Sequence, residues 1–219
     1  LTAIFALDKT ADSKFVLSHI KYHAVEMLRT NIQNIEWDSG TNESDIIIDG
    51  ANITFKTNTQ AKLFFTSTTD INTNVTIKFT PVFVGGYCDV MIGIGSGFSI
   101  GADPRVDIKH GIWFHYGDWG NFVIMKLNNV WDTYIGYTQD RNVDNGWRFV
   151  DGQDEFEIRI IESGTNTKIS FYGGGDAHDL LSEGDMSTTY PLASNNKLMG
   201  STSSQAVEGS GVKNVRVDA

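Results

Sequence analysis

The chain has 219 residues, of which 40% are hydrophobic, 11% aromatic and 20% charged, and its formal charge is −10 at pH 7. This is the composition of a folded globular chain, long enough for one domain with a short appendage and a core that needs no disulfide or metal, so bulk disorder is excluded. The acidic balance repels phosphate backbones and no apolar run approaches the length of a bilayer span, which argues against nucleic acid as a partner and against membrane insertion.

Residues 1–40 read as an N-terminal arm or appendage, and residues 41–219 as the main domain. The opening Leu-Thr-Ala-Ile-Phe has no Met and no basic stretch, so it does not read as a signal peptide but as a processed or trimmed start. Within the arm, Val16, Ile20, Ala24, Met27, Leu28 and Ile35 fall near one face of a helix over 13–35, with Asp12 or Ser13 as its cap. The same stretch also alternates (Phe15, Leu17; Ile20, Tyr22, Ala24), which leaves a strand open. A polar turn follows at 38–43.

From Ile46 onward the pattern is that of short strands. They are expected at 46–48, 53–56, 62–66, 75–79, 89–94, 112–115, 122–127, 133–137, 147–150, 156–161, 168–172 and 212–217. Val75, Ile77 and Phe79 alternate with Thr76 and Lys78, and Phe156, Ile158 and Ile160 with Glu157 and Arg159. One buried and one wet face per strand is an antiparallel signature, and Gly, Asn, Asp and Ser clusters separate the strands. Cys88, the one cysteine, reads as a small buried strand residue. The glycine-rich, polar segment 173–211 reads as loops holding two short strands. With no βαβ rhythm and no internal repeat, the fold class is all-β, a two-sheet antiparallel jelly-roll sandwich.

Three pieces of this pattern resemble the concanavalin A-like lectin/glucanase superfamily. They are Val75–Phe79 followed by the glycine-bearing apolar strand Val90–Gly95, the pair 155–160 and 168–172 joined through Gly164, and the closing strand Gly211–Val217. The resemblance spans about residues 45–219 and implies the concanavalin A-like sandwich. It does not imply one function, because that superfamily holds lectins, glucanases, polysaccharide lyases, adhesins and viral fibre domains. The retaining glucanases carry Glu-x-Asp-x-x-Glu on one strand. Here Glu155 and Glu157 share a face but Arg159 takes the next same-face position, so no catalytic residue is assigned. His19 and His23 stand four apart, with Glu26 beyond, but Ile20 replaces the general base that a zincin helix needs.

Two features suit a ligand. Between 113 and 147 lie Trp113, Tyr116, Trp119, Trp131, Tyr134, Tyr137 and Trp147. Trp113 and Trp131 are assigned to the core. Trp119 falls in the turn Gly117-Asp118-Trp119-Gly120-Asn121, where an indole is costly to leave in water. Aromatic faces stack on the C–H faces of sugars and flanking polar groups take the hydroxyls, so Trp119, Asp118, Asn121 and Tyr116 form the candidate binding set. The second feature is Asp140-x-Asn142-x-Asp144, whose oxygens at alternate positions are what Ca²⁺ wants from a tight loop, with Asp151 at the twelfth position.

The leading functional reading is a non-catalytic carbohydrate- or receptor-binding domain of lectin-like, adhesin or viral-fibre type. It would be extracellular, at a cell surface or on a virion, with a glycan or surface receptor as partner and Ca²⁺ as the candidate cofactor. The alternative is a structural subunit of a virion, spike, sheath or extracellular filament, assembling as a homo-oligomer through residues 1–35. A glycoside hydrolase or polysaccharide lyase is the second alternative.

Overall fold

The computed structural model describes residues 31–32, 37–38, 45–56, 58, 64–85, 88–96, 107–116, 121–137, 152–173, 179–192, 196–202 and 205–218. The strands among them are β1 (Asn31–Ile32), β2 (Trp37–Asp38), β3 (Ile46–Asp49), β4 (Asn52–Phe55), β5 (Phe64–Asp70), β6 (Val75–Val82), β7 (Cys88–Gly95), β8 (His110–Tyr116), β9 (Asn121–Leu127), β10 (Val130–Tyr137), β11 (Phe156–Ser163), β12 (Asn166–Gly173), β13 (Asp179–Asp185), β14 (Lys197–Ser201) and β15 (Gly211–Asp218). They form two antiparallel sheets. One runs β13-β12-β11-β6-β15-β4-β3, with β1 also on β15; the other runs β10-β9-β8-β7-β14-β5-β2. This is the all-β, two-sheet antiparallel sandwich that the strand pattern led one to expect.

The alternating residues meet between the sheets. Val75, Ile77 and Phe79 of β6, Phe156, Ile158 and Ile160 of β11, and Ile169 and Phe171 of β12 line one wall. Cys88, Val90, Ile92 and Ile94 of β7, Ile112 and Phe114 of β8, and Val123 and Met125 of β9 line the other. At the centre, Phe114 meets Phe156 edge-on at 4.7 Å and Phe79 edge-on at 6.0 Å, tying the two sheets together. Asn214, at φ 55, makes an extra residue in β15, so that Val212 and Val215 both point inward although they are three apart. The β9–β10 hairpin turns on Asn128 and Asn129, both with positive φ, as a two-residue turn requires.

Among the described residues, the expected loop segment 173–211 does hold two strands, and one of them is central. β14 lies between β7 and β5, and its Gly200 has the Phe65 ring where a side chain would stand. The helix expected over 13–35 lies outside the described residues, except that Asn31–Ile32 is strand: it pairs with Asp218 and Val217 of β15. Among the described residues β4 pairs with β15 at Gly211 and Val212, which leaves backbone groups at the far end of β15 for β1 to take, and such tertiary pairing overrides a weak local period. Trp37–Asp38 joins the other sheet beside β5. The strand expected at 147–150 lies outside the described residues.

Candidate functional site

On β7 the burial pattern is unbroken, so this strand is covered on both faces. Its core-facing residues alternate with Asp89, Met91, Gly93 and Gly95, which face away from the sandwich. Gly93 pairs with Gly111 of β8, and the two leave a dent in the outer face. Ile108 fills it: a Cβ added at Gly93 would stand 2.6 Å from Ile108 Cγ2. Met91, Ile108 and Met199 form a second buried cluster here, with Trp113 packed against it.

Beside this cluster the outer face is aromatic and charged. Parity puts Trp113 and His115 outward, because Ile112 and Phe114 point into the core. His115 Nδ1 pairs with the buried carboxylate of Asp89, its cross-strand neighbour. Phe122 of β9 stacks on the His115 ring at 4.3 Å and meets the Trp113 edge at 5.5 Å. Trp131 of β10 lies 5.2 Å from Trp113, and the buried Lys126 holds its ammonium 5.0 Å over the Trp131 ring. Trp131 is 36% exposed. The Trp113 indole N–H is buried and makes no hydrogen bond among the described residues. Trp113 and Trp131 therefore do not belong to the core between the sheets, where the sequence placed them. They face the other way, and Asp89, Lys126 and His115 share their surface.

At the end of this sheet, His110 joins the sandwich halves. The Asn128 backbone N–H donates to Nδ1 at 3.1 Å, so the proton is on Nε2, which donates to the Tyr190 carbonyl at 3.1 Å. The Asn128 side chain accepts from the Ser187 N–H at 2.8 Å and donates to the Asp185 carbonyl at 2.9 Å. Burial pushes the His110 imidazole down to about 4; the Lys126 charge acts in the same direction and the bond to Tyr190 opposes it. Cys88 is buried, as expected, and desolvation pushes its thiol up to about 11, which suits packing and not nucleophilic chemistry.

Tyr116 closes β8 and Asn121 opens β9, so the candidate binding turn connects these two paired strands. The side chains of Tyr116 and Asn121 lie outside the described residues, as do Asp118 and Trp119. Asp140, Asn142, Asp144 and Asp151 also lie outside them, with His19, His23 and Glu26. Among the described residues no group of three or more His, Cys, Asp or Glu side chains could hold a metal ion. Glu155 and Glu157 each meet a cation: Glu155 bonds Arg216 at 2.5 Å, and Glu157 bonds Arg159 at 2.6 Å.

No protein-family model matches the chain, and no curated protein matches it in sequence. Solved structures are similar to it in fold. Peanut lectin with a 9mer peptide is 11% identical over 86% of this chain and 92% of that one, with a TM-score of 0.46. The exoplasmic/lumenal domain of VIP36 in its Ca²⁺/Man3GlcNAc-bound form is 8% identical over 84% of this chain and 81% of that one, with a TM-score of 0.48. Its metal-free form is 6% identical, with coverages of 84% and 82% and a TM-score of 0.46. The likeness is one of fold alone.

Proposed function

We propose that the chain is a non-catalytic glycan-binding domain of lectin-like type, displayed outside the cell or on a virion. The observation that carries this reading is the Trp113–Trp131 pair on the outer face of the seven-stranded sheet. One indole is accessible, and the other keeps a buried N–H donor without a partner among the described residues. A sugar ring stacks on an exposed indole, and one of its hydroxyls accepts from a buried donor. Trp119, Asp118, Asn121 and Tyr116, from the sequence between β8 and β9, are proposed as further ligand groups. Ca²⁺ at Asp140, Asn142, Asp144 and Asp151 is proposed as the ion that orders the neighbouring loop.

A glycan array probed with the full chain tests this reading. At least one saccharide class should be retained, and Trp131→Ala and Trp119→Ala should each weaken retention about tenfold or more, given the usual worth of a base- or sugar-sized aromatic contact. Circular dichroism should stay unchanged. Retention indifferent to both substitutions, or no retention at all, would sink it.

One observation favours the assembly reading as a second possibility. Edge strand β3 presents Ile47 at 44% exposure beside the exposed Ile48. An exposed apolar edge is a template for pairing with another chain. If copies of this chain join there, Ile47→Lys should lower the solution mass measured by light scattering; an unchanged mass would remove β3 from the interface.

A further inference from the structure

The sheet that does not carry the aromatic cluster has a groove of its own, about 390 Å³ in volume, on its solvent face. Its floor is laid by strand register. Asp218 of β15, Thr76 of β6 and Arg159 of β11 stand side by side in one row, and Lys78 and Glu157 pair in the next. Asn74 and Ile161 close one end. The residues alternating with these fill the core, so none of the groove's side chains is needed between the sheets.

Its charges are set before any ligand arrives. Lys78 Nζ reaches Asp218 at 3.2 Å and Glu157 at 3.7 Å. Arg159 gives Nε and Nη2 to one Glu157 oxygen at 2.7 and 2.6 Å, and its guanidinium lies 3.9 Å over the Tyr172 ring. Glu157 is only 4% exposed, so this network is held rigidly at its base. Two cations face two carboxylates, and the groove has no net charge in a chain whose charge is −10.

That balance selects among ligands. A sulfate, a carboxylate or a zwitterion would have to displace an internal ion pair and would meet a like charge next to each favourable one. A hydroxyl group both donates and accepts, so a row of hydroxyls can serve carboxylates and cations in turn without dismantling any pair. From β15 to β11 is two strand spacings, about 10 Å, which is disaccharide length, and the volume lies within the range of small-molecule sites. We propose that this groove is a second ligand site, separate from the aromatic face, and that it takes a neutral saccharide of one or two rings through hydroxyl hydrogen bonds and not through stacking.

The test is an amide NMR titration of the full chain with maltose, cellobiose and mannobiose, and with sulfate and phosphocholine as charged probes. At least one disaccharide should shift the Thr76, Lys78, Glu157, Arg159 and Asp218 amides saturably, and the charged probes should not. Thr76→Trp, which fills the groove from its floor, should abolish the shifts, and the near-isosteric Asp218→Asn should weaken binding about tenfold. Trp131→Ala should leave them unchanged, so that failure at the aromatic face and failure here are told apart. Silence of these amides up to the solubility limit of all three disaccharides would overturn the proposal. So would shifts produced only by the charged probes, or disaccharide binding that Thr76→Trp leaves intact.

Discussion

His110 is a neutral imidazole whose two nitrogens are both spoken for, one accepting from Asn128 and one donating to Tyr190. Its folded pKa of about 4 lies below the ordinary 6.5, so between those values the unfolded chain binds the extra proton. Stability is thus fully present above pH 6.5 and is lost as pH falls toward 4, by up to ~3 kcal/mol over the window. Urea midpoints measured across this range should fall with pH, and His110→Gln, which does not titrate there, should flatten that part of the profile. None of this was legible beforehand, because the partner carbonyl is 80 residues away in sequence. Trp113 is a different case. Its parity was readable from Ile112 and Phe114, but an indole's size argued for the core, and only the fold shows that the outer face of its sheet is covered as well.

Among the elements, β7 and β8 set glycine against glycine, at Gly93 and Gly111. Gly93→Ala would press a methyl against the His110 carbonyl, Ile108 Cγ2 at 2.6 Å and Gly111 Cα at 2.7 Å. Backbone atoms cannot swing aside, so a loss of roughly 3 kcal/mol or more is expected, in the upper part of the range for single substitutions. Thermal unfolding checks it, with Gly152→Ala as the comparison at a positive-φ turn where nothing lies within 4 Å. Phe114→Ala removes the ring that joins Phe79 and Phe156 across the core and should cost about 3–5 kcal/mol. The strands with strict alternation, β6 and β11, were readable to within a few residues, because period 2 has no competing explanation there. β14 was harder: its glycine and its brevity look like a loop until Phe65 is seen against it.

For the whole molecule, the sandwich was legible because alternation recurs in almost every strand, whereas the site depends on which outer face becomes covered. A Ca²⁺ ion held by Asp140, Asn142, Asp144 and Asp151 would stabilise the folded chain as a unit. At a free concentration ~100 times its Kd, one Ca²⁺ adds about 2.7 kcal/mol. Calorimetry with calcium and then with chelator should show a Tm difference of several degrees, and Asp144→Asn should shrink it; identical transitions would remove the ion from the account.

The sheet order has a consequence for how this molecule is made. β15 sits between β6 and β4, and β14 between β7 and β5. Neither sheet can close until a ribosome has delivered residues 197–218, and until then β6 and β7 each wait with one edge open. Native pairing therefore waits on this late stretch and is slow, on the millisecond-to-second scale of non-local β topologies. A nascent chain halted before Lys197 would expose those edges to its neighbours, which makes synthesis rate and chaperone supply, more than final stability, the determinants of soluble yield.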